Sequence, residues 1–158
     1  MGAHKLRLAL YQPDIPQNLG AAIRISACFG AGLDVIGPCG FPLTDKALRR
    51  SAMDYGELAE IVSHASLEAF LSHPARKAGR LILVETDGPA TIHDFAFQPE
   101  DTLILGRESA GSPLALYQCA AAVVRIPMVR GARSLNVAVA GALALAEALR
   151  QTGGFDGL

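Results

Sequence analysis

The chain has 158 residues, of which 51% are hydrophobic and 18% charged, with a formal net charge of −1. That length suits one domain spanning residues 1–158, and near-neutrality gives no global footprint of a nucleic-acid binder while leaving room for local basic patches. No window reaches the roughly 18 uninterrupted apolar residues of a membrane span, no signal peptide is recognisable, and Cys28, Cys39 and Cys119 match no disulfide framework or zinc motif, so the expectation is a cytoplasmic protein with neither membrane nor metal partner.

Leu6–Tyr11 reads as a buried strand, broken by Gln12-Pro13-Asp14-Ile15-Pro16-Gln17, whose two prolines forbid a continued ladder. Asn18 is the predicted N-cap of a helix over Leu19–Phe29, closed by Gly30 and Gly32. Arg24 sits inside that apolar helix and must either snorkel to solvent or meet an anion. Leu33–Ile36 is a second strand, and Thr44 or Asp45 caps a brief helix carrying Lys46, Arg49 and Arg50. Ser66 caps another helix that stops at His73-Pro74. Leu81–Val84, Thr102–Leu105 and Ala121–Ile126 are predicted buried strands, each running into a loop rich in Gly, Ser, Thr or Arg. Arg49-Arg50, Arg76-Lys77 with Arg80, and Arg130 with Arg133 are local basic groups whose ordinary reading is a solvated face.

About five strands interleaved with helices indicate an α/β domain with a mainly parallel sheet and helices on both faces. Ligands of such sheets sit beyond the carboxyl ends of the strands. The stretch Ile126–Asn136 combines Arg130 and Arg133 with Ser134 and Asn136, which suits anion and hydroxyl recognition. It opens a helix, Asn136–Arg150, that is apolar nearly all round, as expected for burial on all sides by the core or a second subunit. Rows of Ala138, Ala142 and Ala146, and of Ala140, Ala144 and Ala148, allow close approach of another backbone. Gly30-Ala31-Gly32 follows a helix and precedes a strand, opposite to a dinucleotide fingerprint, and Walker and G-x-S-x-G motifs are absent.

Three segments in order resemble the SPOUT superfamily of knotted RNA methyltransferases. They are Leu10-Tyr11-Gln12-Pro13-Asp14-Ile15-Pro16-Gln17-Asn18-Leu19-Gly20 through Arg24, with Leu48–Tyr55; Leu105-Gly106-Arg107-Glu108-Ser109-Ala110-Gly111-Ser112-Pro113; and Arg125-Ile126-Pro127-Met128 through Arg133-Ser134-Leu135-Asn136-Val137. Within the superfamily they are most similar to the small tRNA (cytidine/uridine-2′-O-)-methyltransferases acting at wobble position 34. The resemblance implies a C-terminal trefoil knot, an exception to the general avoidance of knots, with knot and cofactor loops over about residues 81–151. It also implies a homodimer, a tRNA substrate and S-adenosyl-L-methionine as methyl donor. Val84, Thr86, Gly106, Ile126, Ser134 and Leu135 would line the cofactor pocket.

The resemblance makes Arg24 the candidate proton acceptor, or an orienting and electrostatic group because arginine releases its proton so reluctantly. Asn18, Glu108, Ser134 and Asn136 would arrange the reacting groups, and Arg49 and Arg50 would contact the RNA backbone. Ala138 and Ala146 depart from the serine and tyrosine common in relatives. Other tRNA or rRNA 2′-O-methylation, and a non-catalytic RNA-binding scaffold, are the alternative functions; retention of Arg24, Glu108, Ser134 and Asn136 together favours catalysis.

Overall fold

The computed structural model describes residues 5–42, 46, 50, 55, 60–74, 76 and 79–158. Among them, seven strands form one sheet: β1 (Arg7–Tyr11), β2 (Gly32–Ile36), β3 (Glu60–His64), β4 (Leu81–Val84), β5 (Ala90–Thr91), β6 (Thr102–Leu105) and β7 (Ala122–Arg125). Their order is β3-β2-β1-β6-β4-β7-β5, and every pairing is parallel. β3 and β5 extend the strand set expected from sequence.

Strand residues alternate between two apolar layers because successive side chains point to opposite faces. Leu8, Leu10, Leu33, Val35, Ile82, Val84, Leu103 and Leu105 meet helix α1 (Pro16–Phe29) and the last helix, Val137–Thr152. Ala9, Ile36, Leu81, Leu83 and Ile104 meet Leu67 and Phe70 of α2 (Leu67–Ser72) and Leu116 of α3 (Leu114–Cys119). The last helix, α4, lies close to the sheet at Gly141, where an added Cβ would stand 3.3 Å from Leu8 Cδ1.

Helix α1 starts at Pro16, three residues before the expected Leu19, and its N-cap is Ile15 rather than Asn18. Proline at the first position has its φ preset and no N–H to satisfy, so a side-chain cap is dispensable. Asn18 is thereby left free for tertiary contacts. Gly30 closes α1 in the left-handed conformation (φ 65°), its N–H bonding to Ala27 O. Ser66 caps α2 by accepting from Ala69 N–H. In the single chain Val139 and Leu143 of α4 are 49% and 44% exposed, so the core alone does not cover this helix all round.

The Arg76 and Arg80 group serves the fold. Arg80 forks onto Asp101 at 2.9 and 2.7 Å, and Arg76 donates to Thr102 Oγ1 at 3.1 Å. Buried Asp34 receives Arg7 at 2.7 Å and lies 2.8 Å from His64 Nε2, joining β1, β2 and β3. A buried charge of this kind needs such pairing. Arg49, Thr44 and Asp45 lie outside the described residues, while Arg50 is exposed. No helix among the described residues is long and apolar enough to cross a membrane.

Candidate active site

Because every pairing is parallel, β4, β6 and β7 end on the same side of the sheet and release their loops together. Between those loops and the starts of α1 and α4 lies a cleft of about 440 Å³, within the range of small-molecule sites. Its walls bring together nine of the residues expected from sequence: Val84 and Thr86 after β4, Gly106 and Glu108 after β6, Ile126, Ser134, Leu135 and Asn136 after β7, and Asn18 from α1. Glu85, Arg107, Met128, Val137, Ala140 and Ile15 also line it and were not singled out from sequence. Three of them, Glu85, Arg107 and Val137, are immediate neighbours of residues that were, so the signal reached the right loops but not every side chain on them.

The loop after β6 doubles back on itself. Arg107 and Gly111 exchange backbone hydrogen bonds at 3.1 and 2.9 Å, with Gly111 at φ 69°. A Cβ on Gly106 would stand 2.3 Å from Ser112 Oγ and 2.8 Å from Gly111 C, so only glycine permits this close return. On the same wall Ser112 donates to Glu85 Oε2 at 2.8 Å.

A chain of side-chain amides joins the three distant segments. Asn136 Nδ2 donates to Asn18 Oδ1 at 2.9 Å, and Asn18 Nδ2 donates to Glu108 Oε1 at 3.2 Å. Glu108 Oε2 accepts the Asp14 backbone N–H at 3.0 Å. Asp14 also accepts from the Ser109 hydroxyl. The Asp14 carboxyl is held below its ordinary range, first by its contact with Glu108, then by the Ser109 hydroxyl and the Arg107 charge. Asn136 additionally caps α4, accepting Val139 N–H at 3.2 Å.

Arg24 is placed elsewhere. It lies on the exposed side of α1, its guanidinium 4.6 Å above the Tyr55 ring, and is not among the residues lining the cleft. Arg130 and Arg133 are exposed on the loop that leads into α4. The cleft thus offers apolar walls for a planar ring, hydroxyls and a carboxylate for a sugar or amino acid, and a fixed polar chain at one end.

Comparison with known proteins agrees with this geometry. The SpoU rRNA Methylase family matches residues 5–146. A tRNA (cytidine(34)-2′-O)-methyltransferase of Ancylobacter novellus is 51% identical over 150 residues, covering 95% of each chain. A solved structure concerned with 2-OH methylation of C/U34 on tRNA superposes with a TM-score of 0.84 at 39% identity, covering 95% of this chain and 97% of that one. The SpoU methyltransferase AviRb of Streptomyces viridochromogenes, in complex with AdoMet, gives a TM-score of 0.84 at 30% identity over 96% of this chain and 62% of that one.

Proposed function

The chain belongs to the SpoU rRNA Methylase family, and from that premise we propose that it methylates the 2′-oxygen of the wobble ribose, C34 or U34, of tRNA. S-Adenosylmethionine fits the cleft: the volume is adequate, and Val84, Leu105, Ile126 and Leu135 provide apolar walls beside the polar Glu85, Thr86 and Ser134. When bound it supplies an activated methyl on a sulfonium. The observation that carries the reading is the Asn136–Asn18–Glu108 chain, which ties all three signature segments to one cleft.

The protein's tasks are to orient a ribose hydroxyl toward the methyl and to ease loss of its proton. Glu108 and Asn136 present fixed oxygens and N–H groups at the polar end of the cleft. Arg24, exposed and stacked on Tyr55, suits orientation and electrostatic stabilisation of the substrate better than proton abstraction. Arg50, also exposed, and Arg49 belong to the RNA-contacting surface.

The same reading makes the protein a cytoplasmic homodimer without a metal, organised as one domain with a C-terminal knot. The open Val139 and Leu143 side chains on α4 support a subunit contact. A strand order that inserts β6 between β1 and β4, with α4 returning against α1, supports the threaded topology.

The test is transfer of labelled methyl to total tRNA from cells lacking this protein, followed by nucleoside mapping. Label on a position-34 2′-oxygen, lost with Arg24→Ala, is the expected result. Label at another position, or none despite binding of S-adenosylhomocysteine, would overturn the assigned substrate.

A further inference from the structure

The turn after β4 brings Val84, Glu85 and Thr86 to the cleft, yet much of what holds it comes from outside the cleft. Its backbone leaves the sheet with Glu85 N–H on Val124 O at 2.9 Å and closes with Gly88 N–H on Glu85 O at 3.2 Å. Three side chains from later in the sequence then grip it. Ser112 donates to Glu85 Oε2 at 2.8 Å. Tyr117 Oη lies 3.0 and 3.1 Å from the two carboxylate oxygens of Asp87, its one proton shared between them. Arg125 Nη1 donates to the carbonyls of Gly88 and Pro89 at 2.8 and 3.0 Å. The turn also lies tight on β7, where a Cβ on Gly88 would stand 2.4 Å from Val124 C.

Two of these grips straddle Thr86, for Glu85 and Asp87 are its neighbours on either side. Glu85 Oε1 accepts the Thr86 N–H at 3.0 Å, so the carboxylate that Ser112 fixes also fixes the Thr86 backbone. Ser112 and Tyr117 themselves are not among the residues lining the cleft. They belong to one short segment, ahead of and within α3, which packs on the sheet face opposite to α1 and α4. Burial, then the bond to Asp87 and the charge of Glu85, push the Tyr117 hydroxyl up to about 12, which keeps it a donor at neutral pH. A loop seated from behind by a packed layer presents its binding groups already ordered, and the ligand is spared that entropic cost.

We propose that Ser112 and Tyr117 are positioning residues for the methyl donor: through Glu85 and Asp87 they hold Thr86 in place on the cleft wall and so set cofactor affinity. The inference rests on the function proposed above. The Asn136–Asn18–Glu108 chain, where the ribose hydroxyl is oriented, is made of other residues. The clamp therefore acts on binding of the donor, apart from the transfer step.

The test is calorimetric titration with S-adenosylhomocysteine, together with kcat and the KM for S-adenosylmethionine on total tRNA from cells lacking this protein. Tyr117→Phe and Ser112→Ala should each weaken S-adenosylhomocysteine about three- to tenfold, the scale of one hydrogen bond. KM for S-adenosylmethionine should rise by the same factor, with kcat at saturating donor unchanged. Asp87→Asn, whose amide oxygen still accepts from Tyr117, should bind like the unaltered protein. Asp87→Ala should match Tyr117→Phe, and the two combined should be no weaker than either alone, because they break one bond. Unchanged affinity in both Tyr117→Phe and Ser112→Ala would overturn the proposal. A fall in kcat at unchanged affinity would also overturn it, and so would additive losses from Asp87→Ala and Tyr117→Phe. Binding by Asp87→Asn as weak as by Asp87→Ala would overturn it by assigning the effect to the carboxylate charge. Failure of the unaltered protein to bind S-adenosylhomocysteine would instead remove the functional reading itself.

Discussion

The side-chain amide of Asn136 accepts the Val139 N–H that opens α4 and donates to Asn18, one arm fixing the helix and the other the cleft. The two roles are separable. Asn136→Ala should cost about 1 kcal/mol in a denaturant titration, the usual loss on removing a cap. Asn136→Ser should recover most of that stability, since serine also caps, but not methyl transfer, because its hydroxyl is too short to keep the bond to Asn18. Gly106 sets a different limit: Gly106→Ala drives a Cβ into Ser112 and the Gly111 backbone, so calorimetry should show severe loss of S-adenosylhomocysteine binding. The residue types of the site were readable in the sequence: Asn18 and Asn136 stood out as polar groups at helix starts, and the family resemblance marked Glu108. Their bonding was not. Asn18 looked like a cap until Pro16 took over the start of α1, and its bonds to Glu108 and Asn136 exist only in three dimensions.

Elements were legible in proportion to how plainly burial marked them. β4 and β6 have the expected limits because Leu81–Val84 and Thr102–Leu105 are apolar runs buried on both faces. β3 escaped notice because Glu60–His64 mixes charged and polar residues at a sheet edge, with only His64 buried. β5 has two residues and no periodicity to detect. Helix α4 is anchored near its end by Gln151, which accepts from Phe97 N–H at 2.9 Å and donates to Glu147 at 2.7 Å. Arg150, then Gln151, hold the Glu147 carboxyl down to about 2 from an ordinary 4.5. A depressed carboxyl contributes stability that is full above its unfolded value and is lost as pH falls through its folded value. Urea midpoints measured just above pH 4.5 and close to pH 2 should therefore fall more for the unaltered protein than for Glu147→Gln.

At the scale of the molecule, the apolar strip on α4 is the feature most in need of a partner. In the homodimer proposed above, Leu143→Glu should leave the monomer folded and lower the mass seen by light scattering; a dimer mass unchanged by it would move the proposed subunit contact elsewhere. The sheet has a consequence for assembly in time. β1 is an interior strand, third in the order, paired on one side with nearby β2 but on the other with β6, Arg7 opposite Thr102. Its second edge stays bare until most of the chain has been synthesised, and the cleft, built from both ends of the sequence, cannot exist before then. Contacts so far apart along the chain make folding slow, in the range of milliseconds to seconds or longer, and stopped-flow refolding should find cofactor affinity appearing only in the last phase. A nascent chain with an unpaired central strand is a target for chaperones and for edge-to-edge aggregation, so the yield of active enzyme should depend on how quickly the ribosome delivers β6.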